Sequence, residues 1–297
     1  MTKRGWLLFG SLCVIWGIPY LLIRVSVREL TPATLVFGRT ALASALLLPV
    51  AAKRGELRPL AARWRPLLAF AVIEIAAPWL LLGSAERRLT SSLTGLLLAA
   101  VPLIGAVVAG LSGDDDPLGG RRLLGLLLGL GGVSALVGLD VGGTSPAPLA
   151  EVGSVAVCYA VGPIVLARTL SDLPSLGVIA ASLTACAIGY APVAAFQLPS
   201  KVPAGRVLAS VVALAVVCTA VAFVVFFALI AEVGPARATV ITYINPAVAA
   251  LLGVTVLNEP FSVGMAAGFA LVLAGSVLAT QPNRSRRGRT TVAAAEP

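Results

Sequence analysis

Histidine is absent from the 297 residues, cysteine occurs four times, methionine twice, and charged residues make up only 12% of the chain. Without histidine there is no imidazole acid–base chemistry and no His-ligated metal. The four cysteines, Cys13, Cys158, Cys186 and Cys218, lie inside apolar runs with no metal-type spacing. They read as small packing residues, and neither a metal nor another cofactor is expected. The charged fraction is far below the roughly 25% typical of soluble domains, while 58% of residues are hydrophobic and the mean hydropathy is +0.98. That balance excludes an ordinary water-soluble globule. The net charge of +9 does not indicate a nucleic-acid partner, because the basic residues sit in short loops and a tail and form no stripe on a folded face.

What the chain does have is long apolar runs, at 5–23, 32–52, 66–85, 91–111, 121–139, 149–168, 176–196, 207–231, 236–256 and 261–280. Each is close to the ~20 residues a helix needs to cross a ~30 Å hydrocarbon core. Lys3 and Arg4 ahead of the first run would suit a signal peptide, but nine similar runs follow, so it reads as the first of ten transmembrane helices. Orientation follows from Lys and Arg. With a cytoplasmic N terminus, fifteen of the 22 fall in inside segments and six in outside ones, Arg39 being intramembrane. The positive-inside rule therefore favours both termini in the cytoplasm, for a multi-pass protein of the cell's inner (plasma) membrane.

The stretch from Ser91 to Leu136 recurs between Pro235 and Leu278. The first copy is marked by Pro102, Asp116-Pro117, Gly125 and Gly132, the second by Pro246, Glu259-Pro260, Gly268 and Gly275, and from the acid onward the offset is 143 residues. The same offset carries Gly10-Ser11 onto Gly153-Ser154, Trp16 onto Tyr159 and Pro49 onto Pro192. One unit is written twice. An odd number of helices per unit turns the second copy over in the membrane. The expected fold is therefore an all-α integral membrane protein with ten transmembrane helices in two inverted five-helix repeats, 1–140 and 149–280, and a disordered cytoplasmic tail over 281–297.

Trp16-Gly17-Ile18-Pro19, the stretch Ser91–Leu136 and its copy Pro235–Leu278 together resemble the EamA branch of the drug/metabolite transporter superfamily, over essentially the whole chain to Thr280. Both halves have that family's small-residue run into a mid-helix proline, then an acid near the next helix start, then a spaced glycine pair. The first copy departs from it, with Gly113-Asp114-Asp115-Asp116 where a glutamate is usual. The resemblance implies a ten-helix secondary carrier, often an exporter of small metabolites or amino acids, with a central cavity lined mainly by helices 1, 3, 4, 6, 8 and 9. It names no substrate.

The residues themselves point the same way. A proline cannot donate to the carbonyl four residues earlier, so Pro19, Pro78, Pro102, Pro163 and Pro246 free the carbonyls of Ile15, Glu74, Leu98, Tyr159 and Thr242. In hydrocarbon such carbonyls need protein, water or substrate as a partner; ordinary kinks satisfied by neighbouring helices are the competing reading. Glu74 lies roughly 12 Å into the membrane, counting from Pro66, and Arg39 about 10 Å in from the opposite side, counting from Pro32. Ionisable groups at such depth face a cavity or a partner. Three roles for Glu74 stay open: a proton-coupling carboxylate, a ligand for a cationic or amino group of the substrate, and half of a structural ion pair with Arg39.

Aromatic and amide groups complete the candidate substrate-binding set of Trp16, Glu74, Trp79, Tyr159, Tyr243 and Asn245. Trp16 and Tyr159 occupy equivalent places in the two copies and face each other if the repeat is inverted. Tyr20 suits an interfacial anchor, and Trp79 either an anchor or a lining residue. Asn245 needs hydrogen-bond partners wherever it is buried. Asp116 and Glu259, each followed by proline, suit capping of the fifth and tenth helices, and the glycines Gly125, Gly129, Gly132, Gly264, Gly268 and Gly275 suit close helix contact.

The combined expectation is a secondary active transporter, exporting a small metabolite such as an amino acid or amine by alternating access around a midplane cavity, with proton coupling as an option. Efflux of lipophilic cations, as in multidrug carriers, is the alternative. A passive channel and a membrane-embedded enzyme stand further back, because no ring of like residues repeats at both ends and the convergent nucleophiles, bases and metal ligands of an enzyme are missing. The expected partners are a small-molecule substrate and the lipid bilayer, and the oligomeric state is not legible.

Overall fold

The computed structural model describes residues 1–111, 120–140, 145–234 and 238–280, and all regular structure among them is helical. Ten helices are long and apolar enough to cross a membrane: α1 (Lys3–Ser26), α2 (Pro32–Lys53), α3 (Arg58–Ala85), α4 (Ser91–Val108), α5 (Gly120–Val137), α6 (Pro146–Thr169), α7 (Ser175–Phe196), α8 (Gly205–Val233), α9 (Val240–Leu257) and α10 (Val263–Thr280). The ten expected spans are present, with shifted ends. The largest shift is at α3, where a 3-10 segment, Arg58–Arg63, precedes the apolar run; it buries Leu60 and keeps Arg58 and Arg63 exposed.

Local chemistry sets several helix starts. The side chains of Thr2, Thr31, Thr90 and Ser262 accept from the backbone N–H groups of Gly5, Thr34, Leu93 and Met265 at 3.0, 3.3, 3.2 and 3.0 Å, capping α1, α2, α4 and α10. Ser262 thus takes the role expected of Glu259. The equivalent acid, Asp116, lies outside the described residues.

Several helices are interrupted, and always next to a partner for the backbone. α1 breaks between Ile15 and Pro19, α3 and α8 carry π-turns at Ala71–Ala76 and Val216–Val221, and α4 and α9 carry 3-10 segments at Leu98–Ala100 and Thr239–Tyr243. In the break of α1, Gly17 N–H turns to the Val14 carbonyl at 3.0 Å instead of Cys13. With its amide nitrogen facing the acceptors, Asn245 of α9 then donates to the Cys13 carbonyl at 3.1 Å. The Ala99 carbonyl accepts from Ser276 at 3.2 Å and the Ala76 carbonyl from Tyr190 at 3.0 Å. These acceptors are met by neighbouring helices, as hydrocarbon requires. α6 differs from the expectation: it runs unbroken through Pro163, whose side chain is exposed.

Lipid tails are as apolar as leucine, so helix association in a membrane depends on close packing and hydrogen bonds. α5 lies on α10 backbone to backbone. A Cβ on Gly125 would come within 2.7 Å of the Gly275 carbonyl oxygen, and one on Gly132 within 2.7 Å of the Gly268 carbonyl oxygen. The contact is reciprocal, since the 143-residue offset exchanges Gly125 with Gly268 and Gly132 with Gly275. α2 and α7 form a second close pair of equivalent helices, joined by Ser44 and Thr184 at 2.6 Å and by Thr31 and Gln197 at 2.7 Å. The remaining six helices pack as α3 on α6, α4 on α9 and α8 on α1.

Gly125→Ala places a methyl group into the α10 backbone and is expected to cost about 1–3 kcal/mol, the usual range for overpacking. Gly131→Ala, on the same helix with nothing within 4 Å of the new methyl, is expected to be neutral. Melting temperatures of the two purified variants check this, and equal values would refute the glycine contact.

Candidate functional site

The π-turns of α3 and α8 each place a polar side chain at their fourth residue: Glu74 in Ala71–Ala76 and Thr219 in Val216–Val221. A π-turn inserts an extra residue into a helix and re-aims the side chains around it, which is why such turns gather at functional sites. The Thr219 hydroxyl donates to the Leu214 carbonyl at 2.8 Å and accepts from Arg39 Nε at 2.9 Å. Arg39 is 7% exposed on α2, and its guanidinium carbon lies 3.5 Å from the centroid of the Trp79 ring. A desolvated stack of this kind contributes up to about 2 kcal/mol. Trp79 is itself buried beneath that guanidinium.

Glu74 packs against α6 at Gly162. A Cβ there would fall 1.9 Å from Glu74 Oε2, and that oxygen is shut in without a hydrogen-bond partner. Glu74 and Arg39 do not form an ion pair in this structure. The guanidinium is engaged by Thr219 and Trp79, and no carboxylate of the described residues forms a salt bridge with either π-turn or with Arg39. Tyr159 links the two charges: it is within electrostatic reach of Glu74, Arg39 and Tyr20, and within hydrogen-bonding reach of Trp79. Tyr20, which suited an interfacial anchor, turns inward and packs beside Gly95 of α4. One cluster therefore holds a basic and an acidic side chain, unpaired with each other, around the aromatic surfaces of Trp79, Tyr159 and Tyr20.

The other expected site residues lie elsewhere. Trp16, at the break of α1, meets Phe223 edge-on with ring centroids 6.0 Å apart and Phe226 at 4.9 Å, both on α8. Trp16 and Tyr159 thus have separate partners. The Asn245 amide is committed to the Cys13 and Ile241 carbonyls, and the Tyr243 hydroxyl shares a 2.9 Å hydrogen bond with Thr280 at the end of α10. Thr219, Gly162, Phe223 and Phe226 were not singled out from the sequence, where an uninterrupted apolar stretch gives no periodicity to read. A signal existed nonetheless: Glu74 and Thr219 are 145 residues apart, two more than the repeat offset, as the π-turns themselves are.

A second polar assembly closes one end of the helices. At the turn between α9 and α10, Asn258 adopts a left-handed conformation with φ 53°, and Glu259 reaches back to the start of α4. Its carboxylate accepts from the Ser91 and Ser92 N–H groups at 2.9 and 2.8 Å and from their hydroxyls at 3.0 and 2.6 Å. Hydrogen bonds to a charged group contribute about 1.5–3 kcal/mol each, and the helix dipole favours an anion here. A Cβ on Gly253 would fall 2.2 Å from Ser92 Oγ, so only glycine admits α4 this closely. At the same end Ser84 and Arg88 donate to Glu151 Oε1 of α6 at 2.9 and 2.8 Å, and Arg24 donates to the Glu86 backbone carbonyl.

A separate cavity of about 510 Å³ lies among α4, α5 and α6, lined by residues that include Leu97, Leu103, Leu126, Val133, Leu149 and Val152. Its lining carries no charged side chain and none of the expected site residues. Among the described residues no group of three or more Cys, Asp or Glu side chains is placed to hold a metal ion.

Comparison with known proteins places this geometry. The model of the EamA-like transporter family matches residues 3–138 and again 152–281. The chain is 30% identical over 274 residues to the "Uncharacterized inner membrane transporter YedA" of Escherichia coli K12, covering 86% of this chain and 84% of that protein. It is 22% identical over 289 residues to the "Uncharacterized transporter YvbV" of Bacillus subtilis, covering 96% and 94%. A solved crystal structure shares the fold, with a TM-score of 0.67 at 22% identity over 94% of this chain and 97% of the other.

Glu259→Ala removes the acceptor of Ser91 and Ser92 at the start of α4 and is expected to lower stability by about 2–4 kcal/mol. Glu259→Gln keeps one acceptor oxygen and is expected to fall in between. Denaturation of the detergent-purified variants checks the order; a Glu259→Ala protein as stable as the wild type would refute the clamp.

Proposed function

This chain belongs to the EamA-like transporter family, and from that premise we propose that it is a secondary active carrier that exports an amino acid or a closely similar zwitterionic metabolite. A membrane transporter is the coarser statement that the family carries. The finer one rests on buried Arg39 and half-buried Glu74, a basic and an acidic group that are not paired with each other, one Glu74 oxygen being shut in without a partner, and that share the neighbour Tyr159. Ionisable groups held in a membrane interior face a partner or a ligand. An α-amino acid presents the complementary set: a carboxylate for Arg39, an ammonium for Glu74, and a side chain for Trp79, Tyr159 and Tyr20.

A lipophilic cation would suit Glu74 and the aromatic rings but would be repelled by Arg39, which has no carboxylate of its own to screen it. That is why the zwitterion is preferred to the multidrug alternative. The same Glu74 carboxyl serves as the group that exchanges a proton for the substrate ammonium. Transport proceeds by alternating access, with the two halves arranged as inverted repeats rocking about the site. The tight pairs α5–α10 and α2–α7 act as the scaffold, and both termini lie in the cytoplasm. The reciprocal glycine contact of α5 with α10 supports the two-fold relation that this movement needs.

The test is a thermal-stability screen of the purified protein against amino acids, monocarboxylates, amines and lipophilic cations. A ligand at 100 times its Kd adds about 2.7 kcal/mol to stability. Amino acids are expected to raise the melting temperature, with the shift abolished in Arg39→Gln and weakened in Glu74→Gln. Stabilisation by amines or lipophilic cations, undiminished in Arg39→Gln, would overturn the proposal in favour of cation efflux.

A further inference from the structure

Glu86 follows directly on α3, at the end closed by Glu259, and its side chain takes no part in the candidate substrate site. The residue is 0% exposed, and both carboxylate oxygens are buried without a hydrogen-bond partner. A buried carboxylate with neither an ion pair nor donors costs several kcal/mol. Arg24 offsets this only in part, because its guanidinium donates to the Glu86 backbone carbonyl and forms no salt bridge with the carboxylate. The groups facing Glu86 are Tyr20 and Arg24 from α1 and Glu259 from the α9–α10 turn. Arg88, two residues on, is taken by Glu151 of α6 at 2.8 Å. Glu259 is itself fully engaged as a carboxylate by four donors of α4. Two acids therefore meet at this corner: Glu259 has four donors, and the fully buried Glu86 carboxyl has none.

We propose that Glu86 is a proton-binding site that latches this end of the carrier: the neutral acid is tolerated beside Glu259, and its ionisation drives α1 and α3 away from the corner where Glu259 joins α9 to α4. The step is an acid dissociation, in which the O–H bond of the carboxyl breaks and the proton leaves to water on that side of the membrane, the outer side in the topology proposed above. The asymmetry between the two ends supports a latch here. At the opposite end, α1 meets Glu232 of α8 through Arg4, and α3 meets Asp172 through Arg63, in pairs whose arginines are exposed. Such exposed contacts are weak. Among the described residues, only the Glu86 end contains a fully buried acid with neither carboxylate oxygen partnered, at a junction of helices.

Burial first, and then the Glu259 charge, push the Glu86 carboxyl well above the usual carboxylate range, with Arg24 opposing. The folded protein therefore holds a proton that the unfolded chain releases at lower pH. The stability this confers is full below the ordinary Glu pKa of about 4.3 and declines as pH rises toward the raised folded value.

Because the latch bears on transport only through the carrier reading, it is tested without a substrate, so its failure and the failure of that reading are distinguishable. Infrared spectra of the full chain carrying Glu74→Gln, in nanodiscs at about pH 7, are expected to show a protonated-carboxyl band that Glu86→Gln removes. Spin labels on Arg87→Cys and Phe261→Cys, both exposed positions, are expected to move apart as the wild type is taken from about pH 5 to about pH 9, and to stay together in Glu86→Gln. The decline of melting temperature with pH is expected to flatten in the same variant. Should Glu86→Gln not fold, Glu259→Gln serves instead in the same Glu74→Gln background: with the neighbouring charge gone, the band is expected to vanish at lower pH than with Glu259 present. A Glu74→Gln protein without the band, or a Glu86→Gln protein whose labels still separate with pH, would overturn the latch.

Discussion

Hydrocarbon leaves no backbone N–H or carbonyl without a price, and the structure is arranged around that constraint. A helix that must bend to make room for polar side chains can do so only where another helix, or a side chain of its own such as Thr219 in α8, supplies the missing partner. Asn245 serves the opened turn of α1, Ser276 the 3-10 segment of α4 and Tyr190 the π-turn of α3. The breaks in these helices are consequently paired with specific neighbours, and the positions at which the chain departs from regular helix are those at which helices are bound to each other.

The division of labour among the ten helices follows. Where equivalent helices meet without interruption, as α5 with α10, glycine removes the side chain and the backbones themselves make contact. α2 and α7 are joined by hydroxyl and amide groups at their middles and ends. The interrupted helices carry the chemistry. Glu74 and Thr219 stand at the same place in two π-turns, yet one is an unpartnered acid beside Gly162 and the other the hydrogen-bond acceptor of Arg39. A duplicated scaffold with unlike side chains at matching positions thus carries a basic group on one side and an acidic group on the other.

The closed end shows how far a single acid can act from its own helix. Glu259 joins the α9–α10 turn to the first turn of α4, and Gly253 and Ser92 are the small residues that let the two approach. Beside it Glu86 lacks any donor. The two carboxyls differ only in what surrounds them: one faces the open N–H groups of a helix start, the other the end of a helix, whose dipole favours cations.

Composition and periodicity determined a good deal without coordinates. The ten spans are set by apolar length against bilayer thickness. The packing use of the glycine pairs comes from spacing alone. These are local or additive properties, legible one residue at a time. Tertiary structure decided which groups meet. Counting left an Arg39–Glu74 pair open, but Arg39 turned to Thr219 and Trp79 because a π-turn re-aimed Thr219, and a π-turn leaves no mark in a uniformly apolar run. Glu259 was placed by its proline neighbour at the start of α10, whereas a left-handed Asn258 carried it across to α4. Asn245 became a partner of the α1 backbone for a similar reason: the carbonyl it satisfies exists only once α1 has opened. Spacing along one helix cannot report an acceptor freed on another, and in a membrane such acceptors decide where the polar side chains go.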